Sequence, residues 1–436
     1  MPTPDSSSRA AVAHLLRRTG FGPTAAEVDA AAARGFSATV DALLDFSGPD
    51  PADATALPSF SSDLPAGARN LPAAQRQAIA ARRRDETGRL ITWWLQRMAT
   101  TVHPLREKLT WFWHGHFATA ISKVQRAGFM ATQNQIFRSQ GAGNFEALTQ
   151  AVAKDPAMLL WLDAATNVAS HPNENFAREL MELFTLGIGA YSEQDVKEAA
   201  RCFTGWRFRP TTNQFTLVGR LHDAGIKTVL GQTGPWGGED VIHIVTNSPA
   251  SAPFVVAKLW SHFAYPVAPG DPVVAELAPA FAAGHDVGAL VRSMLLHPEF
   301  VSDQARNGLV KQPVEWAVGL GRALGLAPGD PRLVAVLRAL AQVPFDPPNV
   351  AGWPQNHYWL NTASTLLRLR AAAGMAAQAD LSALQSVPAA ARVDAAAALL
   401  SVAAWSDPTR AALGQVAADP RGLLALASVS PEYTLA

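Results

Sequence analysis

Apolar residues recur along most of the chain at intervals of three and four, the spacing that lines up one stripe of an α-helix. Helices are therefore expected throughout the first third and in most segments after it. Thr24 is followed by Glu27, and Ser192 by Asp195, each with the capping-box spacing that marks a helix start. A long helix is expected over 75–101, with Trp93 and Trp94 near its end. Pro104 suits the first turn of the next helix, because its fixed φ is already helical. Helical signals continue over 172–187 and 192–205, then with breaks from Glu239 through ASAPFVVAKLWSHFA and VKQPVEWAVGLGRALGL.

Two stretches depart from this period. Residues 48–75 are rich in Pro, Ala, Ser and Gly and read as a long irregular connection. Residues 213–234, NQFTLVGRLHDAGIKTVLGQTG, are rich in β-branched side chains around an Asp-Ala-Gly break, which predicts a β-hairpin inserted among helices. The expected fold is mainly α, a multi-helix bundle with that small inserted hairpin. One large helical domain is expected over 1–370 and an alanine-rich helical extension over 371–436, with no internal repeat.

Of the 436 residues, 48% are hydrophobic and 17% charged, which is enough apolar material for a large core. Thirty-six basic residues balance thirty-six acidic ones, so no global field draws the protein to nucleic acid or to an anionic membrane. Arg82-Arg83-Arg84 runs directly into Asp85 and Glu86 and reads as a solvated helix face. The single cysteine, Cys202, cannot form an internal disulfide, which fits the cytoplasm. MPTPDSSSRAAVAHLLRRTGFGP has no apolar run after a basic start, so Arg17-Arg18 is not read as a twin-arginine export signal. Nowhere do eighteen apolar residues run unbroken, so a soluble, cytoplasmic protein is expected.

Candidate chemistry sits in four places. TWFWHGHFAT holds His114 and His116, either a metal-binding pair or a polar interruption of an aromatic helix. On a helix, with about 100° per residue, His116 shares a face with Leu105, Leu109 and Phe112, and His114 lies about 160° away beside Glu107. Both reach one site only if Gly115 breaks the helix. HPNENFARELMELFTLG places Glu174, Asn175, Arg178, Glu179 and Glu182 opposite an apolar arc. That polar face is either a solvated surface with ordinary i,i+4 pairs or the wall of a cleft in which a carboxylate acts as base or metal ligand. His222-Asp223, with Lys227 after the break, is either a site dyad with a nearby cation or a turn in which Asp223 bonds its own backbone. FDPPNVAGWPQNHYWLNTAS is a loop whose Trp353 and Trp359 either stack on a flat ligand or strap the fold together.

Taken together, HLLRRTGFGPT, EKLTWFWHGHFAT, NENFARELMELFTLGIGAYSEQDVKEAARCFTGW, HDAGIKTVLG, VKQPVEW and PPNVAGWPQNHYWLNTAS resemble the bacterial DUF1800 proteins, a family of unknown function, over about residues 14–364. The resemblance implies a mostly helical protein in which Trp113, His114, His116 and Phe117 form one motif and Asn173, Glu174, Asn175, Arg178, Glu179 and Glu182 another. His222, Asp223, Gly225 and Lys227 match a third. Many members look exported and are commonly encoded beside proteins resembling sulfatases and alkaline phosphatases, which makes a sulfatase-like protein the expected partner. The absence of an export layout here departs from that pattern.

Motif segments this rich in His, Glu, Asp, Asn and Arg are poorly explained by core packing alone, so a single site is expected. The first functional reading is a metal-dependent enzyme, a hydrolase or an oxidoreductase. Zn, Mn or Fe would be held by His114 or His116 with His222, and Glu174, Arg178, Glu179, Glu182, Asp223 and Lys227 would carry the chemistry. A helical protein with an adjacent His-Asp is also compatible with the HD phosphohydrolases, but there the dyad lies on a helix and here it is placed on a hairpin. The second reading is a non-catalytic binding or scaffold protein for a glycan, a peptide or the sulfatase-like partner.

Overall fold

The computed structural model describes residues 8–61, 71–209 and 212–435. Part of the expected connection over 48–75, residues 62–70, lies outside the described residues, as does the start of the amino-terminal segment. Helices dominate, with two separate two-stranded antiparallel ribbons among them. No described helix is long and apolar enough to cross a membrane.

Apolar side chains collect in two cores, and the Pro104–His116 helix runs between them. Its Leu105, Leu109, Phe112 and Trp113 enter the first core, built largely by helices between Ala127–Gln140 and Val287–Leu296. Its Trp111 enters the second, with Trp94 from the Ala73–Thr100 helix and Val314, Trp316 and Val318 from Pro313–Ala323. Pro104 occupies the first turn as expected, and the helix continues through Gly115 without a break.

Glu107, on the same helix, is fully buried and ties three helices together. Its carboxylate accepts from Trp94 Nε1 at 2.9 Å, Arg97 Nε at 3.2 Å, and Arg138 Nε and Nη2 at 2.6 and 2.9 Å. Burial alone would raise its pKa, but the Arg138 and Arg97 guanidiniums hold it below the ordinary carboxylate range. The described part of the 48–75 connection is also anchored. Asp50 accepts from Thr101 Oγ1 at 2.7 Å and Arg106 Nη2 at 3.0 Å, at the junction between the two helices.

The expected small β insertion is present, and it is divided in two: Trp206–Phe208 pairs with Phe215–Leu217, and Lys227–Val229 pairs with Gln232–Gly234 as a hairpin within 213–234. The Asp-Ala-Gly break lies in the link between the ribbons. The turn of the second ribbon is at Leu230 and Gly231, both at positive φ (48° and 77°). A further departure concerns 172–187, where the α-helix covers only Asn175–Glu179 and then widens into a π turn at Leu180–Thr185. The last helices return to the second core, where Thr362–Ala376 packs on Pro420–Ala427 and Thr434 O accepts from Lys311 N at 2.9 Å.

Candidate functional site

His114 and His116 do sit on one helix, and they face different cores. His114 is buried among Trp94, Trp111, Phe345 and Trp353, and its Nε2 accepts from the Phe345 backbone N–H at 3.0 Å. His116 packs on Phe112 and Phe117, and its Nε2 bonds the Phe184 carbonyl at 2.9 Å. Burial drives both rings down to a pKa of about 3, Lys258 adding to the effect at His116. The helix has no solvent side at His114 because a second core covers it.

The acidic face is spent on neighbours at the surface. Arg178 donates to Glu193 at 2.8 Å and to Glu174 at 3.0 Å, and Glu182 accepts from Tyr191 Oη at 2.7 Å. Glu179 is half-buried, its carboxyl raised by burial and by Glu182. Asn173 Oδ1 accepts from Asn175 N at 2.9 Å within the turn that starts the helix. His222 Nδ1 contacts the Thr204 carbonyl at 2.9 Å. Asp223 pairs with Arg201 at 2.7 Å and accepts from Gly225 N at 2.9 Å, which is the local turn. Lys227 is buried with its ammonium on the carbonyls of Asp223 and Trp236.

These residues do not fit a common metal. Imidazole and carboxylate ligands must place their atoms about 2.0–2.2 Å from one ion, yet no group of three or more His, Cys, Asp or Glu among the described residues is arranged to hold one. The Nε2 atoms of His114 and His116 are also committed to backbone groups on opposite sides of their helix.

A different constellation does converge. A cavity of about 410 Å³, lined by Lys258, Val267, Leu309 and His357, shares lining residues with two smaller chambers. The first, about 70 Å³, is walled by Trp111, Phe112, His116, Leu183, Lys258 and Trp353. The second, about 30 Å³, is walled by Arg17, Arg18, Lys108, Lys311 and Glu315. Gln355 lines all three spaces, and His262 and Gln312 line both small ones. His116 and Leu183 thus bring two predicted segments to this cleft, Leu183 from the apolar side of the acidic helix.

Two glycines allow the closure. Gly22, at φ 85°, lets its loop lie on Pro313–Ala323, since a Cβ there would come within 2.5 Å of Gly319 Cα. Gly352, at φ 83°, presses its loop against the carbonyl of Gly115 and so seats Trp353 and Gln355.

The cationic chamber is short of negative charge. Lys108 pairs with Glu315, whose other oxygen accepts from Gln312 N at 2.9 Å. Arg18 donates to the Ala305 carbonyl and Arg17 to Ser401 O at 3.0 Å, but Arg17 Nε, Arg18 Nε and Arg18 Nη1 are buried with no partner among the described residues. Lys311 has no carboxylate partner among the described residues; its Nζ lies 3.5 Å from the Tyr433 ring centroid. Arg368, beneath it, donates to the Lys311 carbonyl at 2.8 Å and leaves Nε and Nη1 unpaired. Burial, reinforced by Arg17, lowers Arg18 to about 9; burial and Arg306 lower Arg17 to about 10. Lys311 is pushed well below the ordinary lysine range by burial first and by Arg17 next. His262, its Nε2 buried and unpaired, is held neutral with a pKa of about 3 by burial and Lys108.

Sequence reasoning considered Arg17-Arg18 only as an export signal and passed over Lys108, Lys311, Gln312, Glu315 and Gln355, although every one lies inside a motif stretch. One signal was available. Arg18 follows Ala11, His14 and Leu15 at helical intervals, a cation in a stripe that is otherwise buried. A separate apolar cavity of about 310 Å³, lined by Leu95, Val318, Leu333 and Met375, gathers no such unpaired groups. Its charged rim residues are satisfied, Arg322 by Glu27 and Arg332 by Asp330.

A family model described as a protein of unknown function, DUF1800, matches residues 14–435, nearly the whole chain. No curated protein and no solved structure matches it.

Proposed function

The chain belongs to the DUF1800 family, which names no reaction, and from its cleft we propose that it binds a ligand with an oxyanion head, a carboxylate, phosphate or sulfate. The head occupies the chamber of Arg17, Arg18, Lys108 and Lys311, and the body extends past Gln355 and His262 into the aromatic chamber. The observation that carries this is the set of buried guanidinium N–H groups without acceptors on Arg17 and Arg18. An unpaired buried charge costs several kcal/mol, and a carboxylate or phosphate matches the planar fork of a guanidinium. A chamber of about 30 Å³ has room for roughly two waters, the scale of one small head group. This is a binding reading, for a small anionic ligand in place of the glycan, peptide or partner protein expected from the sequence, and it requires no metal. The lone, buried Cys202 needs no oxidising compartment, which supports action in the cytoplasm.

Titration calorimetry with inorganic phosphate and sulfate tests it. Wild type is expected to bind one of them, and Arg18→Gln to weaken that binding roughly tenfold or more, the loss of one charge-assisted hydrogen bond. Absence of heat from both anions, or unchanged affinity in folded Arg18→Gln, overturns the reading.

A further inference from the structure

Resting on the oxyanion reading, we propose a covalent activity at the same site: Lys311 condenses with the carbonyl of a small 2-oxo acid whose carboxylate is held by Arg17 and Arg18, forming an imine. Lys311 lines the cationic chamber, and its Nζ lies over the face of Tyr433. It has neither a carboxylate partner nor a hydrogen-bond acceptor among the described residues. The other lysines of the cleft differ. Lys108 is ion-paired with Glu315, and Lys258, although burial lowers its amine as well, lines the outer cavity and the aromatic chamber and not the cationic one.

Nucleophilic attack needs a free lone pair on nitrogen, and a lysine gains one when it is desolvated beside other cations. Burial acts first in that direction, and Arg17, Arg368 and Lys108 add to it against the opposing charge of Glu315. The guanidiniums stay charged and hold the substrate carboxylate, so the groups that anchor the head also keep the amine neutral. In a 2-oxo acid the carbonyl is bonded directly to the carboxylate, which suits a chamber with space for little more than the head. The remainder of the substrate passes into the aromatic chamber across His262 and Gln312, which line both.

The step balances without an oxidant or reductant. The amine lone pair forms the C–N bond while the carbonyl π pair moves to oxygen, which takes a proton. The nitrogen loses one proton at this stage and its second as the C=N bond forms, and the hydroxyl takes up a further proton and departs, so both nitrogen protons leave with the oxygen and one water is released per imine. His262, neutral and with Nε2 unpaired among the described residues, lines the same chamber and relays those protons from nitrogen to oxygen through its two ring nitrogens without itself becoming charged.

The test uses the full chain with pyruvate or glyoxylate and sodium cyanoborohydride, read by intact mass and peptide mapping. One reduced adduct is expected on Lys311, suppressed by excess inorganic phosphate, retained when the surface lysine paired with Asp163 is replaced, Lys123→Met, and absent in Lys311→Arg and Lys311→Met. If Lys311→Met does not fold, as judged by circular dichroism, Lys311→Arg and phosphate competition in wild type carry the result. Adducts scattered over surface lysines and indifferent to phosphate, or no adduct at all, overturn the imine. Phosphate calorimetry on the same sample separates the two proposals: heat without an adduct leaves the oxyanion reading standing, and neither heat nor adduct removes both.

Discussion

The backbone N–H of Phe345 donates to Nε2 of His114 across 3.0 Å, which requires that nitrogen to be unprotonated and the ring neutral. The bond pins the loop that carries Trp353 and Gln355 to the helix that carries His116, so one wall of the cleft depends on an uncharged histidine.

Acid sensitivity follows, with a definite sign. His114, His116 and His262 have folded pKa values of about 3, below the value of about 6.5 for an unfolded histidine. Between these limits the unfolded chain binds more protons. Their contribution is complete above about pH 6.5 and is lost as pH falls towards 3, at up to about 1.4 kcal/mol per pH unit for each ring. Urea unfolding at pH 7, 6, 5 and 4 should show this decline, and His114→Gln, which can still accept from Phe345, should show a shallower one. An identical slope in the variant would assign the acid sensitivity elsewhere.

Glu107→Gln should be among the most destabilising single changes. It leaves Arg97 and Arg138 facing a neutral amide inside the protein, and breaking a buried pair by removing one partner costs about 3–5 kcal/mol. Chemical denaturation measures it; a loss below about 1 kcal/mol would mean that water reaches the guanidiniums.

Arg178→Lys and Glu179→Gln should leave both stability and anion binding nearly intact. Arg178 bridges surface carboxylates, and such pairs contribute about 0–1 kcal/mol. Melting temperatures within a few degrees of wild type are expected. Loss of phosphate affinity in either variant would bring the acidic helix back into the site.

Gly115→Leu separates the two chambers. Gly115 lines the aromatic chamber, and a Cβ there meets no atom within 4 Å. A helical glycine also costs about 1 kcal/mol relative to alanine, so the fold should not suffer. Calorimetry should show phenyl phosphate binding reduced while inorganic phosphate binds as in wild type. Equal loss of both would mean that the chambers are not distinct.

What the sequence by itself determined is what depends on neighbours within a turn or two. Ser192 and Asp195 cap their helix, Thr24 and Glu27 theirs, and Pro104 starts the helix at which it was placed, because each bond closes within four residues. The helical wheel also put His116 with Leu105, Leu109 and Phe112 and set His114 opposite, which the continuous helix keeps. The wheel could not say that a second core waits on the other side, since Trp94, Phe345 and Trp353 arrive from distant parts of the chain. The same limit explains the hairpin, where a polar break looks alike whether it turns a strand back or links two ribbons. The cleft was decided by tertiary structure alone. Arg17, Lys108, Lys311 and Gln355 are unremarkable cations and an amide in their own segments. They become a site only because Gly22 can lie on Gly319 and Gly352 on Gly115, which removes water from charges that no local pattern marks as buried.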